Sequence, residues 1–567
     1  MYEVIVMIQT ILTVLMILLT AAVAVLGARY YLHMLQLSSY QFRGYGHFFR
    51  AHPRLIGFHA AALALLAISA AASGVLHIGE DGIRLAVFAP ALLIDWAAFF
   101  LFRPRQAKKK FVLTTRVWRL IAILALLCAA VVIVPALLAG AGLTGVLYLF
   151  LTVLAFLPFI LALANLLAQP AERAVRQWYI NDARRMLAEH PGLRIIGITG
   201  SYGKTSVKHY LTAMLSESFS VLMTPGSYNT PMGVVRTIRE QLRPTHEIFV
   251  CEMGARHVGD IKEICDIVAP HDGILTAIGD QHLETFFTRE NIINTKYELL
   301  DAVEHIGKGE LPEVASPRGA AFDRTEGCLK FINGDDEILA ANRRYPDAVT
   351  YGLTEGNSYR GEILAVDASG TAFRVTMPGE TAEFLIPLAG RHNVVNVIGA
   401  IAVAHELGVP TAKLRMAARR LKTAEHRLEI KKMPYGVLLD DAYNSNPAGA
   451  AAALETMAQI AESDAQAGQD GEPMLKILLS PGMVELGEKQ DAYNADFGRA
   501  AAAVCDLILT VGHTNREAIR RGAAEAGFPA DRIIACDGVQ EAMNLANARE
   551  PGRRRVLLIE NDLTDNY

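Results

Sequence analysis

The residues best placed to do chemistry run from Gly197 to Ser206, Gly-Ile-Thr-Gly-Ser-Tyr-Gly-Lys-Thr-Ser. Apolar residues from Leu193 to Ile198 read as a buried strand, and a helical pattern runs from Val207 to Leu215. A strand, a glycine turn, Lys-Thr and a helix together make a cradle for a nucleoside triphosphate. Backbone N–H groups and the helix N-terminus face the phosphates, the Lys204 ammonium reaches the outer ones, and the Thr205 hydroxyl can hold Mg²⁺. The usual pattern has four residues between its first glycine and Gly-Lys. Gly197 lies one residue too far from Gly203 for that, and Ile198 stands in its place. The usable glycines are Gly200 and Gly203, in a Thr-Gly-x-x-Gly-Lys-Thr variant. Gly200, Ser201, Gly203, Lys204, Thr205 and Ser206 are thus the expected ATP-binding residues. A glycine turn with an incidental lysine is the plainer alternative, and the flanking strand and helix argue against it.

Further polar groups follow predicted strands. Phe249-Val-Cys-Glu-Met-Gly-Ala255 puts Glu252 at a strand's C-terminal end. Ligands bind along that edge in open α/β sheets, and a carboxylate there can take Mg²⁺; a helix-capping glutamate is the other reading. His282, in Gly279-Asp-Gln-His-Leu-Glu284, is either a second metal ligand or a satisfied loop histidine. Lys296 falls in a predicted helix and taken alone is an ordinary surface lysine. Gly390-Arg-His-Asn-Val-Val-Asn396 opens an apolar helix that His392 or Asn393 can cap. Arg427 lies in His426-Arg-Leu-Glu429, and Asp441 in Asp440-Asp-Ala-Tyr-Asn-Ser-Asn-Pro447, whose polar groups suit a ribose or a base.

The elements that must position these groups follow from periodicity. From 193 to about 300, β-like runs alternate with helical ones, which predicts a parallel sheet with crossover helices. From 328 to 388 short strands and turns read as an antiparallel β insert. A second α/β pattern begins near 427, with strands at Val437–Leu439, Ile477–Leu479, Leu507–Thr510, Arg532–Ala535 and Val556–Ile559. A chain of 567 residues should hold about three domains. The net charge of −4 gives no support to nucleic-acid binding. The six cysteines have no metal-clip or C-x-x-C spacing and read as reduced thiols, mostly buried.

The first third reads as membrane. Apolar stretches lie near 4–27, 55–77, 84–102, 117–139 and 143–168, each close to the ~20 residues that cross a bilayer core. A cleaved signal peptide would explain the first alone, and five in succession would be unusual in a soluble core. Arginine and lysine concentrate in the first connection (Arg29, Arg43, Arg50, Arg54), in the third (Arg103 to Arg119) and after the fifth stretch (Arg173 to Arg185). The positive-inside rule then puts the N-terminus outside and everything after ~170 in the cytoplasm, where ATP is. Asp95, within the third stretch, is either functional or turned to a helix partner. Residues 171–190 read as an interfacial or linking helix. The expected domains are 1–170 (transmembrane, about five helices), 171–190 (linker helix), 191–422 (ATP-binding) and 423–567 (C-terminal α/β).

In this order the motifs resemble those of the Mur ligase family of ATP-dependent amide-bond ligases, over about 191 to 560. The resemblance implies a P-loop central domain and a Rossmann-like C-terminal domain. It implies that Gly200, Gly203, Lys204 and Thr205 form the ATP loop, and that Thr224-Pro-Gly-Ser-Tyr-Asn-Thr-Pro-Met-Gly233 faces the substrate. It makes Glu252 and His282 magnesium ligands, Lys296 the lysine that many members carbamylate to hold a second Mg²⁺, Asn393 the adenine contact, Arg427 the γ-phosphate contact and Asp441 the ribose contact. Ser480-Pro-Gly-Met-Val-Glu-Leu-Gly487 resembles the loop near the incoming amine. Two departures bear on the substrate. Apolar stretches stand where the family carries a uridine-diphosphate domain, and the segment Glu560 to Tyr567 does not match the usual Lys-Gly-Ser-Arg ending.

The resemblance implies amide-bond formation through an acyl phosphate, with Lys204, Lys296, Arg427 and His282 catalytic. The implied partners are a carboxylate donor, a muramoyl peptide, and an amine acceptor, D-alanyl-D-alanine, with membrane lipid around the apolar stretches. The expected setting is the bacterial cell membrane, multi-pass. A lipid-linked or other membrane-borne carboxylate is the alternative donor. An ATP-driven transporter is a further alternative, disfavoured because the apolar stretches carry few charges and the rest carries a ligase's metal and ribose loops.

Overall fold

A computed structural model describes residues 2–75, 96–97, 99–101, 110–138, 143–226, 228–279, 283–309, 328–367, 370–388, 390–422, 428–442, 445–467, 473–484 and 486–561. The chain divides into two compact units, one ending at Gln177 and the other beginning at Trp178.

In the first unit the helices are Tyr2–Leu37, Phe42–Ala51, Pro53–Val75, Thr115–Leu138 and Leu143–Ala188, the last running on past the unit's end. Among the described residues three segments are long and apolar enough to cross a membrane: Leu18–Leu37, Thr115–Leu138 and Leu149–Ala188. The first apolar stretch is longer than expected, so Arg29 lies inside a helix and not in a connection. The stretch 55–77 coincides with the Pro53–Val75 helix, while most of 84–102, with Asp95, lies outside the described residues. The expected linker over 171–190 is not a separate helix: it continues Leu143–Ala188 without a break. Pro158 and Pro170 sit inside that helix; a proline removes one backbone donor, and the turns on either side carry the helix through. A polar link joins three of the helices: the Tyr31 hydroxyl lies 2.6 Å from His59 Nε2, and His59 Nδ1 lies 2.9 Å from the Ala155 carbonyl.

In the second unit the first strands are β1 (Arg194–Thr199), β2 (Val221–Met223), β3 (Ile248–Glu252), β4 (Asp272–Leu275), β5 (Lys330–Asn333) and β6 (Val349–Gly352). β7 (Tyr359–Asp367), β8 (Gly370–Met377) and β9 (Glu380–Ile386) follow. All nine belong to one sheet in the order β2-β3-β1-β4-β5-β6-β7-β8-β9. The expected antiparallel insert is therefore a continuation. β5 and β6 extend the parallel part, and only the β7–β8 and β8–β9 pairs are antiparallel. β5 and β6 are four residues each, too short to show whether a crossover or a hairpin joins them. β1 is an interior strand and buried, as Ile195, Ile196 and Ile198 dictate, and helices cover both faces.

Arg194 and Asp272 lock β1 to β4. The guanidinium donates from Nε to Asp272 Oδ2 at 2.7 Å and from Nη2 to Oδ1 at 2.9 Å, and the Leu329 N–H donates to Oδ1 at 3.0 Å. Asp272 is wholly buried, whereas Arg194 reaches partly to solvent. Removing the cation strands a buried carboxylate, which costs roughly 3–5 kcal/mol. Arg194→Met is expected to lose that much in urea unfolding, whereas Asp272→Asn, which leaves Arg194 partly hydrated, loses less.

The last sheet uses β10 (Glu429–Met433), β11 (Gly436–Asp441), β12 (Leu475–Ser480), β13 (Leu507–Val511), β14 (Ile533–Cys536) and β15 (Arg555–Glu560). Their order is β10-β11-β15-β12-β13-β14, with β10 antiparallel at the edge and the other pairs parallel. The six cysteines are free thiols, four of them buried.

Candidate functional site

The phosphate-loop segment turns at the C-terminal end of β1. Gly200 has φ +153° and Gly203 φ +80°, the latter immediately before the Lys204–Leu215 helix. A Cβ at Gly200 would lie 2.1 Å from Thr276 Oγ1 and 2.9 Å from the Ala277 carbonyl; at Gly203 it would meet Asn396 Oδ1 at 2.7 Å. Both glycines are fixed by space as well as by conformation. The Ser201 N–H donates to the Ala277 carbonyl at 2.6 Å and its hydroxyl to the Gly279 carbonyl at 3.1 Å. The Lys204 ammonium donates to the carbonyls of Gly200 at 2.8 Å and Ser201 at 3.0 Å, so it curls over the loop's own mouth. Ser206 is buried in the first turn of the helix.

Glu252 ends β3, as a strand residue and not a helix cap. The Thr205 hydroxyl and Asn229 Nδ2 each donate to its Oε1 at 3.1 Å, and Lys208 Nζ sits 3.0 Å from Oε2. Both Glu252 and Lys208 are buried. Burial alone would raise the Glu252 pKa; the Lys208 ammonium, with help from Lys204 and Asn229, overcomes it and holds the carboxyl below its usual range.

Lys296 is 3% exposed, on the Arg289–Gly307 helix, so it is not the surface lysine its sequence context suggests. Burial, then the Lys204 ammonium nearby, lowers its amine pKa to about 7. The folded state therefore releases a proton that the unfolded chain keeps up to its ordinary pKa of ~10.4. Stability should rise with pH between about 7 and 10.5 on this account, and below 7 the cost is present in full. Lys296→Met is expected to raise the Tm at pH 6 by a few degrees and to flatten that slope in a thermal scan series.

The structure thus brings together Gly200, Ser201, Gly203, Lys204, Thr205, Ser206, Glu252 and Lys296. Asn393 is one turn before Asn396 on the Arg391–Glu406 helix, buried, with its Oδ1 accepting from the Tyr210 hydroxyl at 3.0 Å. The N-cap of that helix is Gly390, so neither His392 nor Asn393 caps it. Asp441 ends β11 in the last sheet, and its Oδ1 accepts from the Leu428 N–H at 2.9 Å. His282 and Arg427 lie outside the described residues. Lys208 lay outside every motif read from the sequence, while Asn229 and Asn396 fell within quoted motifs without a role of their own. Lys208 did leave a signal. It stands four residues after Lys204 on one helix face, a repulsive pair unless an anion lies beside it.

A Mur ligase middle domain profile matches residues 198–404, and a Mur ligase, glutamate ligase domain profile matches residues 426–559. The UDP-N-acetylmuramoyl-tripeptide--D-alanyl-D-alanine ligase of Mycobacterium tuberculosis (strain CDC 1551 / Oshkosh) is 31% identical over 380 residues, 64% of this chain and 69% of its own length. The chain belongs to the Mur ligase family. The Bacillus subtilis relative of the same name is 30% identical over 323 residues, 57% of this chain and 63% of its own length. The Escherichia coli one is 28% identical over 360 residues, 62% of this chain and 73% of its own length. The Mur ligase chain thus spans 63 to 73% of these three relatives. Among solved structures, MurF from Acinetobacter baumannii superposes with a TM-score of 0.55 at 26% identity, over 68% of this chain and 77% of that one. The MurF ligase from Thermotoga maritima in complex with ADP shares the fold, with a TM-score of 0.55 at 22% identity over 68% and 80%.

Proposed function

We propose that this Mur ligase is an ATP-dependent amide-bond ligase that joins the terminal carboxylate of a muramoyl peptide to the amino group of D-alanyl-D-alanine at the cytoplasmic face of the bacterial membrane. The observation that carries it is the convergence of Lys204, Thr205 and Glu252 at one end of β1 and β3. The names of the relatives supply the substrate pair. In this reading the apolar helices belong to 1–170, the last of them continues through 171–190, and the ATP-binding and C-terminal domains are assigned to 191–422 and 423–567.

Hydroxide is a poor leaving group, so a carboxylate does not condense with an amine in water at neutral pH. The donor carboxylate oxygen attacks the γ-phosphorus of ATP, ADP leaves, and the acid becomes an acyl phosphate. The amine then attacks the acyl carbon, inorganic phosphate leaves, and the amine's proton passes to solvent. Little covalent work falls to the protein; it neutralises and aligns. Lys204, freed from the two loop carbonyls, meets the outer phosphates, and Arg427 adds a second cation from the last domain. Asn393 and Asp441 are assigned to the adenine and the ribose.

Thr205 and Glu252 present hard oxygen donors to one point, a set that fits Mg²⁺. They would hold it, with His282 and Lys296 as further ligands, and the ion supplies charge neutralisation at the transferring phosphoryl group. An amine with a pKa of about 7 is half neutral at pH 7, and the neutral form can add to CO₂ as a carbamate. That would convert Lys296 from a cation beside Lys204 into an anion able to ligate metal.

The three apolar segments favour a membrane anchor for this catalytic unit. They also favour a second donor class, a lipid-linked carboxylate, whose local concentration an anchor would raise. Mass spectrometry of products formed from ATP, D-alanyl-D-alanine and either the nucleotide-linked or the lipid-linked muramoyl peptide decides between them. Failure of both donors to give an amide, with ATP left intact, would overturn the ligase reading.

A further inference from the structure

Lys208 is a wholly buried ammonium that the chemistry above does not use. It sits one helical turn beyond Lys204 and makes two contacts at once. Its Nζ lies 3.0 Å from Glu252 Oε2 and donates to the Gly226 carbonyl at 2.6 Å. Gly226 belongs to the connection between β2 and the Pro231–Gln241 helix. That connection is tied to β3 elsewhere as well. The Glu252 N–H donates to Thr224 Oγ1 at 3.1 Å, Asn229 Nδ2 donates to Glu252 Oε1 at 3.1 Å, and the Gly254 N–H donates to the Asn229 carbonyl at 2.7 Å. The two oxygens of Glu252 are therefore divided. Oε1 faces Thr205 and the loop's Asn229, while Oε2 faces the cation that also grips the loop's backbone.

We propose that Lys208 is a positioning residue that locks the 224–230 loop to Glu252, so that the loop and the phosphate end of the pocket hold one fixed geometry. A buried ammonium bound at only one of these two points would be costly, which makes the two contacts interdependent. If the loop drifts, Glu252 loses the group that orients Oε2. If Glu252 is drawn away, the loop loses its central anchor. Assigning the loop to the acyl donor rests on the ligase reading above; the lock itself does not. A shift of about 1 Å in a positioned substrate is enough to slow group transfer ~10²-fold.

Hydrogen exchange on the full-length detergent-solubilised protein tests the lock without turnover. In Lys208→Met the amides of Thr224, Gly226, Tyr228, Asn229 and Thr230 are expected to exchange at least ~10-fold faster, while those of β1 and β3 stay within ~2-fold. Lys208→Arg, which keeps the charge but replaces the compact ammonium with a bulkier planar guanidinium, should fall between. Calorimetric affinity for ADP without Mg²⁺ should change less than ~3-fold, while KM for the muramoyl-peptide donor rises ~10-fold or more. Unchanged loop exchange in Lys208→Met, or equal loosening of β1 and β3, overturns the proposal. If Lys208→Met does not accumulate, Lys208→Arg decides it by the same criterion: loop amides no faster than wild type overturn the lock. A loosened loop with an unaltered donor KM upholds the lock and points instead to failure of the donor assignment.

Discussion

Lys204→Ala should abolish donor-dependent ATP hydrolysis, by 10³-fold or more in a coupled phosphate-release assay. Lys204 is the cation that lies over the loop. Its ammonium is held by the Gly200 and Ser201 carbonyls, two neutral acceptors that a phosphate can displace at little loss. It also carries a second duty. Its charge contributes to the low Glu252 pKa and to the lowered Lys296 pKa. Alanine at this position removes the cation from the phosphates, weakens the ionised state of Glu252 and lets the Lys296 pKa rise toward its ordinary value. ADP binding without Mg²⁺ should weaken less, because backbone N–H groups and the helix N-terminus carry much of phosphate recognition. Turnover at the wild-type rate in Lys204→Ala would remove the loop from the chemistry.

How legible the site was depended on how local each residue's environment is. Gly200, Gly203, Lys204 and Thr205 could be placed because their positions are set within one strand-turn-helix, and the sequence spells that unit out. Glu252 could be placed because a strand's C-terminal edge is a known position once the strand is found. Lys296 could not be recognised as buried from its own stretch, since its helix packs against the Asp260–Val268 helix, β4 and β1, all distant in sequence. Lys208 was hidden for the same reason, with its partners 18 and 44 residues away in sequence at Gly226 and Glu252. The mixed sheet was misread at β5 and β6 because four-residue strands carry no periodicity that separates parallel from antiparallel pairing. The linker at 171–190 was misread because a change from apolar to arginine-rich composition looks like a boundary, and helix propensity does not change there. Arginine, glutamine, glutamate and leucine are all good helix formers, and the backbone hydrogen bonds run on.

Glu252→Ala tests function and stability together, and a second substitution separates them. The carboxylate is the only anion within ion-pair distance of Lys208 among the described residues, and both groups are buried. Truncation to alanine leaves a buried ammonium with the Gly226 carbonyl as its sole acceptor among the described residues. Breaking such a pair from one side costs about 3–5 kcal/mol. Donor-dependent ATP hydrolysis should fall 10³-fold or more, because the oxygen shared by Thr205 and Asn229 is gone from the place where Mg²⁺ is assigned. In Glu252→Ala/Lys208→Met the stranded charge is removed, and urea unfolding should recover most of the lost stability while activity stays absent. If the double variant regains activity as well, the single variant's defect was in folding, and Glu252 has no part in the reaction. If it regains neither, the ion pair is not what Glu252 contributes to the fold. Recovery of stability alone is the outcome that two buried opposite charges require when one of them also serves the phosphoryl transfer.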